Sequence, residues 1–403
     1  MSKLSKLLAA GIASGVMLLT NAAPAFAAGF IYSPVNGNTV QFDKYLVMDE
    51  EANVPNVTFT FSIAPGEGEE NTDDKLVVQA GDADAVTGSP VILTPQAVFA
   101  VGDETFDSVQ SHQEDGMQQA TRVEDNVILE EGQKYARKQV SIDFSGVSFS
   151  EPGVFRWVIT EDSTDRLGIT NDEDATRYLD AYVIDNDGTL EVEGYVLHNS
   201  DHFQPAKLGD ADEPENGKAN GYCNLYTTYN IDLSKTVTGN QGSRDQYFKF
   251  HVVIEGDEAG TRFDVDLSNA DENTLVNVYS PESHENPAVL VLGDDHKVEQ
   301  DFWLQNGQNI VINGIPEGAG YTITETPEDY RVSSTTIEGT EEPRELMDAE
   351  CSDEAIKGDT DIDYVNDKTG IIPTGVIIRV LPFAIGAIAA LVIGLFARKT
   401  KRI

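Results

Sequence analysis

Apolar and polar residues alternate with a period of two along most of the chain. Val57-Thr58-Phe59-Thr60-Phe61 is typical, with its apolar side chains on one face and its threonines on the other. That period marks half-buried β-strands. It predicts strands over 40–47, 57–63, 140–144, 153–161, 177–183 and 190–197, then over 232–237, 247–254, 288–292, 308–312, 321–325 and 361–366. Gly, Asp, Asn and Pro separate them, and Asp185-Asn186-Asp187-Gly188 reads as a hairpin turn rather than as part of a Ca²⁺ loop. The polar segment 110–138 has room for a short helix, and the acidic segment 210–220 reads as an exposed loop. No long segment between the two ends has a helical period. Evenly spaced strands with turn signals imply an all-β chain of immunoglobulin-like sandwiches.

Six polar residues break the pattern, because strand parity places them among apolar neighbours. Lys44 follows Phe42, and Lys235 follows Ile231 and Leu233. Glu161 ends a strand that carries Phe155, Trp157 and Ile159 on the same face, and Glu325 ends one that carries Tyr321 and Ile323. Asn224 lies between Tyr222 and Tyr226, and Asn366 follows Ile362 and Tyr364. The order Lys, Glu, Asn therefore occurs twice, so the chain divides into two similar halves. The boundaries are 28–229 and 230–371.

Both ends differ from this body. Lys3 and Lys6, an apolar run from Leu7 to Leu19 and Ala25-Phe26-Ala27 have the form of a signal peptide over 1–27. Residues 372–403 hold Ile372-Pro373-Thr374-Gly375, an apolar run from Val380 to Ala397 and the basic end Arg398-Lys399-Thr400-Lys401-Arg402. The run is long enough to span a bilayer with its basic end in the cytoplasm. A plain single-pass anchor would look the same but for the Pro-Thr-Gly ahead of it. The formal net charge is −42, and both ends are basic, so the body is more acidic still. Such a surface argues against nucleic acid as a partner, and against membrane contact other than through the C-terminal segment. The six histidines show no metal-ligand spacing, and no cofactor motif occurs. An exported chain permits a disulfide between its two cysteines, Cys223 and Cys351, and is equally compatible with two free thiols. No Ser-His or Cys-His arrangement suggests a turnover enzyme.

A neutral lysine amine can attack the side-chain carbonyl of asparagine, expel ammonia and leave an amide crosslink. Apolar burial favours the neutral amine and a protonated glutamate. The protonated carboxyl would polarise the asparagine carbonyl and move the proton to the departing amine. A buried Lys-Glu ion pair beside a hydrogen-bonded Asn would leave the same trace once. Two trios in one order favour the crosslink.

These features resemble the major (backbone) pilins of Gram-positive bacteria of the streptococcal T-antigen type, built from pilin isopeptide-linkage domains. The motifs that carry the resemblance are Phe42-Asp43-Lys44, Thr160-Glu161, Asn224-Leu225-Tyr226, Lys235-Thr236-Val237-Thr238-Gly239, Thr324-Glu325, Tyr364-Val365-Asn366 and Ile372-Pro373-Thr374-Gly375. The resemblance implies two tandem CnaB-type sandwiches, with bonds Lys44–Asn224 assisted by Glu161 and Lys235–Asn366 assisted by Glu325. It also implies a secreted subunit that a sortase cleaves between Thr374 and Gly375 and joins to a lysine of another copy. Lys218 in Asn216-Gly217-Lys218 is the first candidate for that lysine, and Lys207 the second. Minor pilins and peptidoglycan are the further partners implied, on a pilus anchored to the cell wall. The competing expectation is a wall-anchored adhesin or minor pilin attached singly. Cys223, and a tail motif without the commoner Leu-Pro-x-Thr-Gly form, depart from the family pattern.

Overall fold

The computed structural model describes residues 38–71, 76–114, 121–125, 127–199, 219, 221–269, 274–275 and 286–371. Its apolar side chains form two separate cores. One is built from residues between Val40 and Tyr226, the other from residues between Ile231 and Tyr364. The architecture is all-β, and each core is enclosed by two sheets in an immunoglobulin-like sandwich.

The principal strands around the first core are β1 (Thr39–Asp49), β2 (Val57–Pro65), β3 (Gln133–Asp143), β4 (Gly153–Glu161), β5 (Ile169–Thr170), β6 (Thr176–Asn186), β7 (Thr189–His198) and β8 (Gly221–Tyr226). One sheet runs β5-β8-β1-β3 and the other β7-β6-β4-β2. Around the second core lie β9 (Thr228–Thr238), β10 (Phe248–Glu255), β11 (Arg262–Asn269), β12 (Lys297–Leu304), β13 (Gln308–Pro316), β14 (Gly320–Thr326), β15 (Arg331–Glu338), β16 (Glu350–Asp353) and β17 (Thr360–Asp367). Their sheets run β11-β13-β9-β17-β15 and β12-β10-β14-β16. In each half the first strand lies beside the last in parallel, β1 with β8 and β9 with β17. Residues far apart in sequence thus become neighbours.

Gly221 makes the first of these pairings possible. A Cβ there would sit 1.7 Å from the Asp43 carbonyl oxygen, so only glycine lets β8 approach β1 this closely. Asp187 and Gly188 take positive φ between β6 and β7, and Gly188 N–H donates to Asp185 Oδ1 at 2.6 Å. This is the hairpin turn anticipated at 185–188.

Two readings that the sequence left open are decided. The described part of 110–138 contains no helix: Ser111–Glu114 pairs with Thr121–Glu124, and β3 begins at Gln133. This region helps cover the outer face of β1 and β3, where Tyr45, Val47, Val127 and Tyr135 form a small third cluster. The cysteines do not meet either. Cys223 packs against that outer cluster and Cys351 lies in the second core, both as free thiols. Residues 1–37, 207, 210–218 and 372–403 lie outside the described residues, so the signal, tail and acceptor-lysine expectations do too. Among the described residues no helix is long and apolar enough to cross a membrane.

The halves are joined by the single residue Thr227, and polar contacts surround the joint. Thr228 donates through N–H and Oγ1 to Asp49 Oδ2, and Asn53 Nδ2 donates to Asp264 Oδ2 at 3.0 Å. From the loop between β4 and β5, Leu167 packs against the second core while its N–H donates to Asp257 Oδ2 at 2.8 Å.

Candidate crosslinking sites

Strand register brings each Lys-Glu-Asn trio together, in the same way twice. Lys44 stands opposite Tyr222 in the β1–β8 ladder, and Lys235 opposite Tyr364 in the β9–β17 ladder. Each asparagine lies two residues beyond that tyrosine and so on the same face. In the facing sheets, Glu161 is opposite Phe61 and Glu325 opposite Phe250. The lysine amines lie over the preceding phenylalanines, Lys44 Nζ 4.2 Å from the Phe59 ring centre and Lys235 Nζ 4.5 Å from that of Phe248.

A tyrosine tether joins the two sheets at each site. Tyr222 OH donates to Ile159 O at 2.8 Å, and Tyr364 OH to Ile323 O at 2.9 Å. Each tyrosine is two residues before its asparagine, and each acceptor two residues before its glutamate. The repeated Tyr-x-Asn and Ile-x-Glu spacing is visible in the sequence, but its meaning requires the register.

In the first site Lys44 Nζ lies 2.5 Å from Asn224 Oδ1 and 2.7 Å from Glu161 Oε2. Asn224 Nδ2 donates to Glu161 Oε1 at 2.9 Å. Asn224 Oδ1 also accepts the Asp172 backbone N–H at 3.1 Å. That donor fixes the amide orientation, since a second donor, Nδ2, cannot face an N–H. In the second site Lys235 Nζ is 2.7 Å from Glu325 Oε1, and Asn366 Nδ2 donates to the same oxygen at 2.7 Å. In both sites the glutamate faces the amide nitrogen rather than the carbonyl, because the carboxyl lies between the amine and Nδ2. It is therefore placed for proton transfer more than for carbonyl polarisation. The sequence carried no sign of Asp172, whose contribution is a backbone group.

All six side chains are buried, none more than 4 % exposed. Burial among aromatic rings lowers the Lys44 amine from its usual range against the opposing charge of Glu161, and raises Glu161. It likewise pushes Lys235 down to about 8 and raises Glu325. Desolvation is the largest effect on each group, so both pairs move toward their neutral forms. With the amine neutral and the carboxyl protonated, each trio holds the groups that aminolysis needs; Lys44 touches Asn224 directly, whereas Lys235 and Asn366 meet at Glu325 Oε1. Among the described residues no cluster of His, Cys, Asp or Glu could hold a metal ion.

Comparison with known proteins gives a consistent context. A family model described as a domain of unknown function (DUF7601) matches residues 229–355. A pilin of Streptococcus pyogenes serotype M1 is 24% identical over 263 residues, covering 62% of this chain and 69% of that protein. The crystal structure of the major pilin from Streptococcus pyogenes matches with a TM-score of 0.51 at 18% identity, covering 83% of this chain and 100% of that one. This chain resembles a streptococcal major pilin. The pilus tip adhesin Cpa of Streptococcus pyogenes is 27% identical over 201 residues, half of this chain but only 24% of the adhesin.

Proposed function

We propose that this chain is the repeating structural subunit of a cell-surface pilus, self-crosslinked by Lys44–Asn224 and Lys235–Asn366 amide bonds. The observation that carries the reading is the duplicated trio, with one register, one tyrosine tether and one aromatic cover in both halves. Independent ion pairs would have no reason to share all three. The two sandwiches, which meet at Thr227 close to the 229/230 boundary expected from the sequence, are the units that the bonds would close.

The reaction balances within each site. The neutral lysine Nζ forms a bond to the asparagine Cγ, and the Cγ–Nδ2 bond breaks. Glutamate accepts a proton from the attacking amine and delivers a proton to Nδ2, which departs as ammonia. Each glutamate acts once, in its own chain, so the protein is not a turnover enzyme. The folded core supplies the proximity, which lowers the barrier by several kcal/mol or more.

Polymerisation is the intermolecular counterpart. In this reading a sortase cuts between Thr374 and Gly375, after Pro373, and passes the Thr374 acyl group to Lys218 of another copy. Minor pilins and peptidoglycan receive the remaining ends, which anchors the fibre to the cell wall. The alternative of a singly attached adhesin draws only on the partial match to the tip adhesin. Immunoblots of wall extracts separate the two: a high-mass ladder is expected, collapsing to monomer in Lys218→Arg. A ladder that survives Lys218→Arg moves the acceptor to Lys207, and a wild type without any ladder overturns the polymer.

A further inference from the structure

The two sites differ most at the asparagine carbonyl. Asn224 Oδ1 accepts the Asp172 N–H, whereas Asn366 Oδ1 has no hydrogen-bond donor among the described residues. The cause is the segment that follows each glutamate. In the first half, residues 162–175 form a loop in which β5 pairs with β8 only at Ile169–Tyr226 and Thr170–Leu225. The chain then leaves the ladder, and the amide of residue 172 turns toward Asn224. In the second half only residues 327–330 separate β14 from β15. There β15 continues as a regular antiparallel partner of β17 through Val332–Asn366, and its amides serve that ladder.

We propose that the Asp172 backbone N–H is an oxyanion donor for the first crosslink, and that Arg177 is the residue that positions it. The inference rests on the crosslinking reading above. When Lys44 Nζ bonds to Asn224 Cγ, the carbonyl π pair moves onto Oδ1, where this N–H already points. The pair returns as the Cγ–Nδ2 bond breaks. A fixed donor in a buried site stabilises that charge without reorganisation during the reaction. With Glu161 facing Nδ2, the carbonyl is polarised from the Asp172 side.

The donor is held at several points. Asp172 Oδ2 accepts from Arg177 at 2.8 Å and from Cys223 N–H at 2.9 Å, and Oδ1 accepts from Asp174 N–H at 3.1 Å. Arg177 in turn donates through Nε to Gly221 O at 3.1 Å and stacks 4.6 Å from the Tyr222 ring centre. Asn171 ties the preceding turn to both backbone groups of Thr164. The same loop reaches the second half through Leu167 and through the ion pair of Arg166 with Glu258.

The test follows both bonds in the full chain during cell-free synthesis, with samples quenched in acid, digested and scored by mass for each crosslinked peptide. In wild type the Lys44–Asn224 peptide should appear before the Lys235–Asn366 peptide. Asp172→Pro, which removes the N–H, should slow the first bond by about 10²-fold. Arg177→Gln should slow it by roughly 10-fold, a partial loss of the same donor, and Arg177→Lys should recover most of the rate. The second bond is the internal control and should keep its wild-type rate in all three. If Asp172→Pro unfolds the first sandwich, the Arg177→Gln and Arg177→Lys pair decides the matter at unchanged melting temperature. Wild-type rates for the first bond in both Asp172→Pro and Arg177→Gln would overturn the inference. A wild-type chain with neither crosslink would overturn the crosslinking reading itself.

Discussion

Glu325→Ala should melt its sandwich about 15 °C below wild type, a loss on the order of 5 kcal/mol. The Lys235–Asn366 bond would close a loop over residues 236–365, nearly the whole second core. Without Glu325 there is no group to move the proton from Lys235 to Asn366, and the loop stays open. The double variant Lys235→Met/Glu325→Gln provides a control, because it removes the amine and the carboxylate together and leaves no buried charge unpaired. It should lose the loop-closure contribution as well. A pulling experiment shows the same effect as length. If force enters at Lys218 and leaves at Thr374, the covalent path crosses from Lys235 to Asn366 and bypasses the segment between them. Wild type should show no long extension, whereas Glu325→Ala should release roughly 450 Å of chain. Equal melting temperatures and equal extensions in the two proteins would remove the mechanical role.

The second large effect is a pH dependence that only the uncrosslinked protein should show. Asn366→Ala keeps Lys235 and Glu325 but removes the electrophile. Burial pushes the Lys235 amine down to about 8 from its ordinary value of 10.5. Between those values the folded variant binds fewer protons than the unfolded chain, so its stability rises with pH across that window. The rise should amount to roughly 3 kcal/mol, because below pH 8 folding must bury the cation or expel its proton. In the crosslinked wild type that we propose, the nitrogen at residue 235 would be an amide and would not titrate. Chemical denaturation at pH 7.5 and pH 10.5 compares the two proteins. A rise of the same size in wild type would place a free amine at residue 235.

The strands and the two trios were legible because one alternation controls both. Phe59 and Phe61 point inward while Thr58 and Thr60 do not, and the same count places Lys44, Glu161 and Asn224 on buried faces. The third cluster was less visible. Tyr45 and Val47 are buried on the outer face of β1 by Tyr135 and Val127, so β1 is apolar on both sides and its alternation is masked. The polar composition of 110–138 left room for a short helix, but that segment borders a sheet face, and pairing with its neighbours decided the form of its described part. Asp172 could not be found by pattern at all. Its side chain only holds its own backbone in place, and the course of its loop depends on contacts such as Leu167 with Asp257, across the joint between the halves. The cysteines illustrate the reverse limit: a permissive compartment allows a bond, but Cys223 and Cys351 belong to different cores.

The most direct test of the central claim is the intact mass of the folded, exported chain. That mass should lie below the mass of the processed sequence by two ammonia molecules. Glu161→Ala and Glu325→Ala should each restore one of them, and the double variant both. A wild-type mass equal to that of the unmodified sequence would contradict the account.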